Sequence, residues 1–464
     1  MKSLELKPIH SNIVSTYLED SIDRDRDINA FVDILNAQES SCAIALDGTW
    51  GSGKTFFVKQ VKMILDTCSL SEKKRNDNSE KIQRKWKELH GGNMPDLQSH
   101  LCVYYDAWEN DNDADPMLSL VWSILQDVNE VSPFQDDSKI FEKAAAIAEV
   151  ITGRSVSAIA DAFKKSNVLD DLKRGKDIHH TISEFFENLL VERADRLAII
   201  VDELDRCKPD FAVRLLEQIK HYFSDDRITF VFATNLLELQ HTISKYYGNG
   251  FDSCRYLDRF FDLRTELPPA NLDKYYQSIG FHQEYVVDNV CNELIAKYGF
   301  SLREISRFIN LVKIAVYKPT HGSRKYDFSF PDEKGRLFCL MVAVPLTIAM
   351  KMKNLSDYNA LIKGSNPKPF IELLEVMHQK HYYRFDGFLN NHEVFNDKDQ
   401  EPDSESIVVA FKDKALEIYN AIFNLAYDNR NYECNIGEYS FGRKTQIMIS
   451  RASSLLSNYY STYE

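Results

Sequence analysis

Two short stretches of the chain carry the residue types that phosphoryl chemistry requires. Gly48–Thr55 reads GTWGSGKT and fits the pattern G-x-x-x-x-G-K-[ST] (Walker A), in which successive backbone N–H groups curl around phosphates. Lys54 is placed to reach the β- and γ-phosphates of a nucleotide and the Thr55 hydroxyl to ligate Mg²⁺. Gly51 and Gly53 allow positive φ and the close backbone approach that a side chain would obstruct. The second stretch, Leu197–Val201 (LAIIV), is an apolar run that ends in acid at Asp202 and Glu203 (Walker B). Asp202 would hold Mg²⁺ through its waters and Glu203 would polarise the attacking water. Asn235, after the next apolar run, reads two ways: it positions that water or the γ-phosphate, or it caps the helix that follows. Charge on the transferring phosphoryl group calls for arginine, and Arg206, Arg255, Arg259 and Arg264 are available. Sequence leaves open which acts in cis, which acts from a neighbouring subunit and which only pairs with Asp205 or Asp258. No N-K-x-D-like guanine-reading element is present, so ATP is favoured over GTP.

These residues need a scaffold, and the flanking patterns supply one. Cys42–Leu46 (CAIAL) has the continuous apolar character of a buried parallel strand, and downstream Phe57, Val61 and Ile64 recur at helical spacing. The order is therefore strand, glycine loop, helix. Leu101–Tyr105, Leu197–Val201, Ile228–Ala233 and a short run ending before Pro268 make four further strands, separated by helical segments. Strands alternating with helices predict a parallel sheet covered on both faces. A charged insertion follows the loop helix, in which Ile82, Trp86 and Leu89 form an apolar stripe while Lys81, Arg84, Lys85 and Lys87 cover the remainder. That basic face reads as a solvated surface, or as a contact for nucleic acid or an acidic partner. From Val131 to about Leu190 the pattern predicts two or three helices interrupted by charge. Beyond Ala270 the strand pattern ceases: a helical block spans Asn271–Tyr317, a polar break follows over Lys318–Lys334, an acidic loop spans Asn396–Ser406, and helical periodicity returns from Phe411 and over Ile447–Tyr459.

Composition bounds the class. The chain has 464 residues, long enough for two or three domains, and 44% hydrophobic residues, ordinary for a folded protein. A net charge of −14 argues against a surface that embraces nucleic acid as a whole, leaving only local basic stripes. The eight cysteines are scattered without a C-x-x-C pair, which excludes a zinc or disulfide framework and fits a reducing cytoplasm. The opening MKSLELKPIHSNIV lacks the layout of a signal peptide. The longest uncharged apolar run, Leu337–Met350, is interrupted by Pro345 and falls short of the ~20 residues of a spanning helix, which predicts a buried core helix and no transmembrane segment.

With these pieces assembled, the chain resembles the KAP family of P-loop NTPases, in the ASCE division and related to AAA+ and STAND proteins. GTWGSGKT, YYDAWENDNDADPMLSLVWSI, VDELDRC, YLDRFFDLRTELPP and LREISRFINLV carry the likeness, in that order, over roughly residues 10–320. The resemblance implies an α/β P-loop NTPase with a parallel five-stranded sheet in the order 5-1-4-3-2, followed by an all-helical lid and a C-terminal helical domain. The corresponding division is a core over 1–269 with insertions near 69–100 and 131–190, a lid over 270–320, and a helical region of unknown role over 321–464. Gly48, Thr49, Trp50, Gly51, Ser52, Gly53, Lys54, Thr55 and Phe56 would hold the nucleotide. Thr55 and Asp202 would hold Mg²⁺. Lys54, Glu203, Asn235 and Arg259 would serve catalysis, Arg259 near a neighbour's nucleotide, and Arg303 or Arg307 on the lid would sense it. Trp50 and Trp108 match the family's tryptophans, either as packing that shapes the loop or as substrate contacts. Many members carry transmembrane helices between the two nucleotide motifs, whereas here that interval is interrupted by charge. The family often has an acid where this chain has Asn235.

The function these readings predict is an ATP-hydrolysing switch that assembles as a homo-oligomer on binding ATP and meets a partner or effector through its C-terminal helices. Bacterial relatives are associated with phage exclusion and defence. Two other readings are a nucleotide-gated scaffold with little turnover and a nucleic-acid-stimulated ATPase using the basic helix around Arg84.

Overall fold

The apolar runs read as strands do form strands in the structure, a computed structural model. It describes residues 6–69, 76–92, 97–131, 182, 184–191, 194–223, 225–282, 284–317, 333–380, 404–424, 433–436, 439–442 and 445–454. The strands are β1 (Cys42–Asp47), β2 (His100–Asp106), β3 (Arg196–Asp202), β4 (Ile228–Thr234) and β5 (Leu263–Glu266). All pair in parallel, in the order β2-β3-β4-β1-β5, which is the expected 5-1-4-3-2 read from the other edge. The fold is that of an α/β P-loop NTPase.

Because successive side chains of a strand point to opposite faces, the sheet needs cover on both. On one face Ile44, Leu46, Cys102, Ile200 and Val231 pack with residues of α1 (His10–Leu18), α2 (Asp25–Asn36), α3 (Lys54–Ser69) and α4 (Asp77–Leu89). On the other, Val103, Tyr105, Ile199, Val201, Phe230 and Phe232 pack with α5 (Pro116–Val131), helical residues 184–190, α6 (Pro209–Tyr222) and α7 (Leu236–Tyr247). A short α8 (Ser253–Leu257) leads into β5, and α9 (Leu272–Ser278) follows it. The chain divides by its internal contacts into Lys7–Tyr275, which holds the sheet, and a second unit made mainly of Tyr276–Glu464.

The second unit contains α10 (Val286–Tyr298), α11 (Leu302–Tyr317), α12 (Glu333–Phe338), α13 (Val344–Lys353), α14 (Leu355–Ile362), α15 (Lys368–Lys380), α16 (Ser404–Phe423) and α17 (Thr445–Ser453). At its centre Val344–Met350 are all buried, and α13 packs against α10, α11 and α17. A five-residue π-turn, Cys339–Ala343, joins α12 to α13 immediately before Pro345. Proline has no N–H to donate and its ring crowds the preceding turn, so the helix widens there. The helical stretch Lys334–Lys353 is consequently 20 residues long, longer than the uncharged run suggested. It is long and apolar enough to cross a bilayer, but 72% of its most apolar window is buried inside the protein.

Several expectations are corrected. The C-terminal region is not purely helical: β6 (Glu433–Ile436) and β7 (Tyr439–Gly442) form an antiparallel pair, with Phe441 buried. Ser404–Ser406, assigned to the acidic loop, open α16. On α4, Ile82 and Trp86 are buried as expected, but Lys85 turns inward. It pairs with Asp25 at 3.0 Å and donates to the Tyr17 carbonyl, leaving Lys81, Arg84 and Lys87 as the exposed basic face. The helices expected over 132–181 and the rest of the acidic loop lie outside the described residues.

Candidate nucleotide site

The parallel order brings the C-terminal ends of β1, β3 and β4 side by side, and the chemistry-bearing residues stand on that edge. The loop leaves β1 at Asp47, whose carboxylate accepts from the Leu236 N–H at 2.9 Å, while the Gly48 N–H donates to the Thr234 carbonyl at 3.2 Å. Gly51 and Gly53 have φ of 78° and 100°, as the turn requires. Gly48 is needed for a different reason: a Cβ there would lie 3.1 Å from Ser52 Oγ and 3.2 Å from Leu267 Cβ. Thr49 offers its carbonyl to the Ser52 hydroxyl at 2.7 Å. Among the described residues no backbone carbonyl accepts from the N–H groups of Gly51, Gly53 or Lys54. Lys54 is 7% exposed and its Nζ donates to the Gly48 carbonyl at 2.5 Å. Burial lowers the pKa of its ammonium, and Asp205, Asp202 and Glu203 oppose that shift. Phe56 packs on the core beside the loop.

Thr55 and Asp202, 147 positions apart, meet here: Thr55 Oγ1 donates to Asp202 Oδ2 at 2.7 Å. Tyr104 Oη donates to the same oxygen at 2.9 Å, and the Glu203 N–H donates to Oδ1 at 2.9 Å. Asp202 is fully buried, which raises its carboxyl pKa against the pull of those bonds. Glu203 stands at φ 60° and ψ 24°, in the left-handed region, a position that costs a non-glycine residue about 1–3 kcal/mol. Its Oε2 lies 2.6 Å from Arg206 Nε. Burial, and Asp202 beside it, push the Glu203 acid up to about 7. The Arg206 guanidinium is sandwiched between two half-exposed indoles, 5.6 Å from the Trp50 ring and 5.3 Å from the Trp108 ring. Trp50 Nε1 in turn donates to Asp205 Oδ2 at 2.5 Å, and Asp205 Oδ1 accepts from Thr234 Oγ1 at 3.0 Å. Both tryptophans thus pack on Arg206.

The remaining arginines separate. Arg264 pairs with Asp258 at 2.5 Å and lies over the Phe261 ring. Arg255, on α8, and Arg259, just after it, are exposed. Arg303 and Arg307 lie on α11, in the second unit. Asn235 caps α7, its side-chain oxygen accepting from the Glu238 N–H at 3.4 Å. Three residues at the site escaped the sequence reading as parts of it: Tyr104, Asp205 as the anchor of Trp50, and Arg24, whose Nη1 donates to the Ser52 carbonyl at 3.0 Å. Tyr104 shares the face of Asp202 because β2 and β3 pair Asp106 with Asp202, a register that the sequence does not carry. Arg24 had no sequence signal either.

The residues present fit a nucleotide with Mg²⁺. A hydroxyl and a buried carboxylate converge as hard oxygen donors, the set Mg²⁺ prefers, and a cation there would favour the ionised form that burial disfavours. Among the described residues no cluster of three or more His, Cys, Asp or Glu offers another metal centre.

A glycine loop between a parallel strand and a helix, with a buried carboxylate on the adjacent sheet strand but one, defines a P-loop NTPase. This chain belongs to the KAP family: the model of the KAP family P-loop domain matches residues 24–318. Among solved structures, the chain is similar to the ORC2 protein of Aeropyrum pernix in its ADPNP–ADP complexes. The identity is 11%, the match covers 86% of this chain and 95% of that one, and the TM-score is 0.33, a likeness too slight to bear on function. No curated protein matches the chain.

Proposed function

We propose that the chain binds ATP with Mg²⁺, hydrolyses the γ-phosphate and acts as a cytoplasmic molecular switch, in a bacterial anti-phage or related multi-protein system. The observation that carries the enzymatic part is the 2.7 Å contact of Thr55 with Asp202, which unites the two halves of a magnesium–phosphate site from distant parts of the chain. In this reading the loop amides of 48–55 and Lys54 bind the phosphates, and Thr55 and Asp202 hold the metal. Mg²⁺ supplies charge neutralisation on the phosphate oxygens. Glu203, with one oxygen tied to Arg206, accepts the proton of the attacking water through the other. Asn235 caps its helix and stands at the end of β4, where it also serves to position that water. The exposure of Arg259 supports a role in a neighbour's site within a homo-oligomer, and Arg303 and Arg307 act from the lid. The division of labour we infer is a core over 1–269, a lid over 270–320 and a partner- or effector-binding region over 321–464. Nucleic acid is a weaker candidate partner, since Lys85 is withdrawn from the basic face of α4.

The test is ATP turnover and ATP binding by the unaltered protein, Lys54→Ala and Glu203→Gln. Lys54→Ala should lose binding. Glu203→Gln should bind ATP while turnover falls about 10²–10⁴-fold, the usual contribution of a general base. Turnover in Glu203→Gln equal to that of a hydrolysing unaltered protein would remove Glu203 from the mechanism, and ATP binding by the unaltered protein with no turnover would favour the scaffold reading.

A further inference from the structure

Arg24 stands at the entrance to α2, 28 positions before the residue it touches, and is 3% exposed. Its one side-chain hydrogen bond among the described residues runs from Nη1 to the Ser52 carbonyl at 3.0 Å, inside the phosphate loop. Its Nε is buried without a hydrogen-bond partner. No carboxylate among the described residues lies within ion-pair distance of it, and Asp27 acts on it only as a more distant charge. Burial lowers the guanidinium to about 10, so it remains a cation at neutral pH. A buried charge left without a counter-ion is costly in a folded protein, and such groups persist where something compensates them. The polar feature that Arg24 does reach is the loop between β1 and α3.

We propose that Arg24 is a further nucleotide-affinity residue, a cation behind the phosphate loop that sets the Ser52–Gly53 peptide and favours a polyphosphate in front of it. In a trans peptide the C=O and the following N–H point to opposite sides, and no peptide bond among the described residues is cis. Drawing the Ser52 carbonyl towards Arg24 turns the Gly53 N–H away from it, to the side where the loop can receive an anion. Gly53, at φ 100°, adopts the conformation that this orientation needs. The same bond keeps the Ser52 carbonyl from the helix ladder, since Phe57 donates to Gly53 while no backbone N–H among the described residues donates to Ser52. The positive charge of Arg24 adds to that of Lys54 and to the N-terminal end of α3, which all favour an anion. This inference rests on the nucleotide reading of the loop.

Arg24→Met removes charge and donor while keeping an apolar stem of similar length, and Arg24→Gln keeps a donor without the charge. Binding of ATP with Mg²⁺ is measured with a fluorescent ATP analogue and by competition with ATP, and melting temperature is followed with and without ATP. Arg24→Met should fold with a nucleotide-free melting temperature equal to or above that of the unaltered protein. It should bind ATP about 10- to 100-fold more weakly, the range for losing a hydrogen bond from a charged group, and show a smaller ATP-induced rise in melting temperature. Arg24→Gln should fall between the two proteins and supplies the comparison if Arg24→Met does not fold. ATP affinity unchanged in either folded variant overturns the role of Arg24, whatever happens to the melting temperature. Absence of ATP binding by the unaltered protein overturns the nucleotide reading itself, and this inference with it.

Discussion

The fully buried Asp202 carboxylate accepts three hydrogen bonds, and two of the three come from residues remote in sequence, Thr55 and Tyr104. A buried carboxyl with a raised pKa is held in place and kept ionisable by such donors, so each should matter to any metal it binds. Tyr104 also carries the Lys59 ammonium 4.2 Å over its ring, and the ring itself packs in the core beneath the loop. Tyr104→Phe keeps ring and packing and deletes only the donor to Asp202. It should weaken the apparent affinity for Mg²⁺ in ATP turnover about tenfold, the low end of what outer-layer partners contribute, with melting temperature little changed. A Mg²⁺ titration of turnover decides this, and an unchanged half-saturating concentration would reduce Tyr104 to a packing residue. Lys54, Thr55, Asp202 and Glu203 were legible in the sequence because their spacing follows one strand–loop–helix and one strand end. Tyr104 was not, because its place beside Asp202 depends on the register of β2 against β3, and Arg24 was not, because its bond to Ser52 depends on how α2 packs.

At the scale of elements, apolar patterning marked β1 to β4 and most helices, while the polar, exposed β5 was read from its place before Pro268, and patterning failed where polar residues do structural work. The stripe of Ile82 and Trp86 identified α4, but the same periodicity counted Lys85 as surface when its long stem lets the ammonium reach Asp25 across the helix pair. The β6–β7 pair escaped because its strands are four residues each and bear no long alternating run. At the end of α4, His90 ties that helix to α2: its Nε2 lies 3.0 Å from Asp33 Oδ2, and its Nδ1 lies 2.9 Å from the Trp86 carbonyl. Burial alone would lower the imidazole, but the Trp86 carbonyl and Asp33 outweigh it and raise the pKa. A histidine whose pKa is raised on folding contributes stability that is present in full below about pH 6.5, the pKa of the unfolded chain, and is lost as pH rises through the folded-state value. His90→Ala should therefore destabilise the protein by a few tenths to about 1 kcal/mol more at pH 6 than at pH 8.5, as for a partly exposed pair. Urea unfolding at the two pH values measures it, and equal losses at both would mean that only packing against Trp86 is at stake.

At the scale of the whole molecule, counting strands and helices gave a parallel sheet covered on both faces, but right-handed crossovers leave several strand orders open, and the order 5-1-4-3-2 came from the family resemblance. Connectivity does not contain the assembly either. Arg255, on α8, and Arg259, just after it, are exposed, while Arg206 is committed to Glu203 and Arg264 to Asp258. An arginine that serves a neighbour's phosphates must be exposed on its own subunit, and commitment to an internal carboxylate removes Arg206 and Arg264 from that role. If Arg259 acts in trans, Arg259→Ala should bind ATP with affinity near that of the unaltered protein and lose turnover by at least about tenfold, a contribution at or below that of other transition-state arginines. Mixing it with Lys54→Ala then gives a sharper result than either variant alone. Each has an intact copy of what the other lacks, so in a head-to-tail ring mixed at equal amounts about a quarter of the interfaces regain a complete site. Turnover of the mixture should accordingly exceed the mean of the two variants measured apart, and should fall with dilution as the assembly dissociates. No gain on mixing, with both variants folded and Arg259→Ala still able to bind ATP, would place Arg259 in cis or outside catalysis and make Arg255 the next residue to exchange.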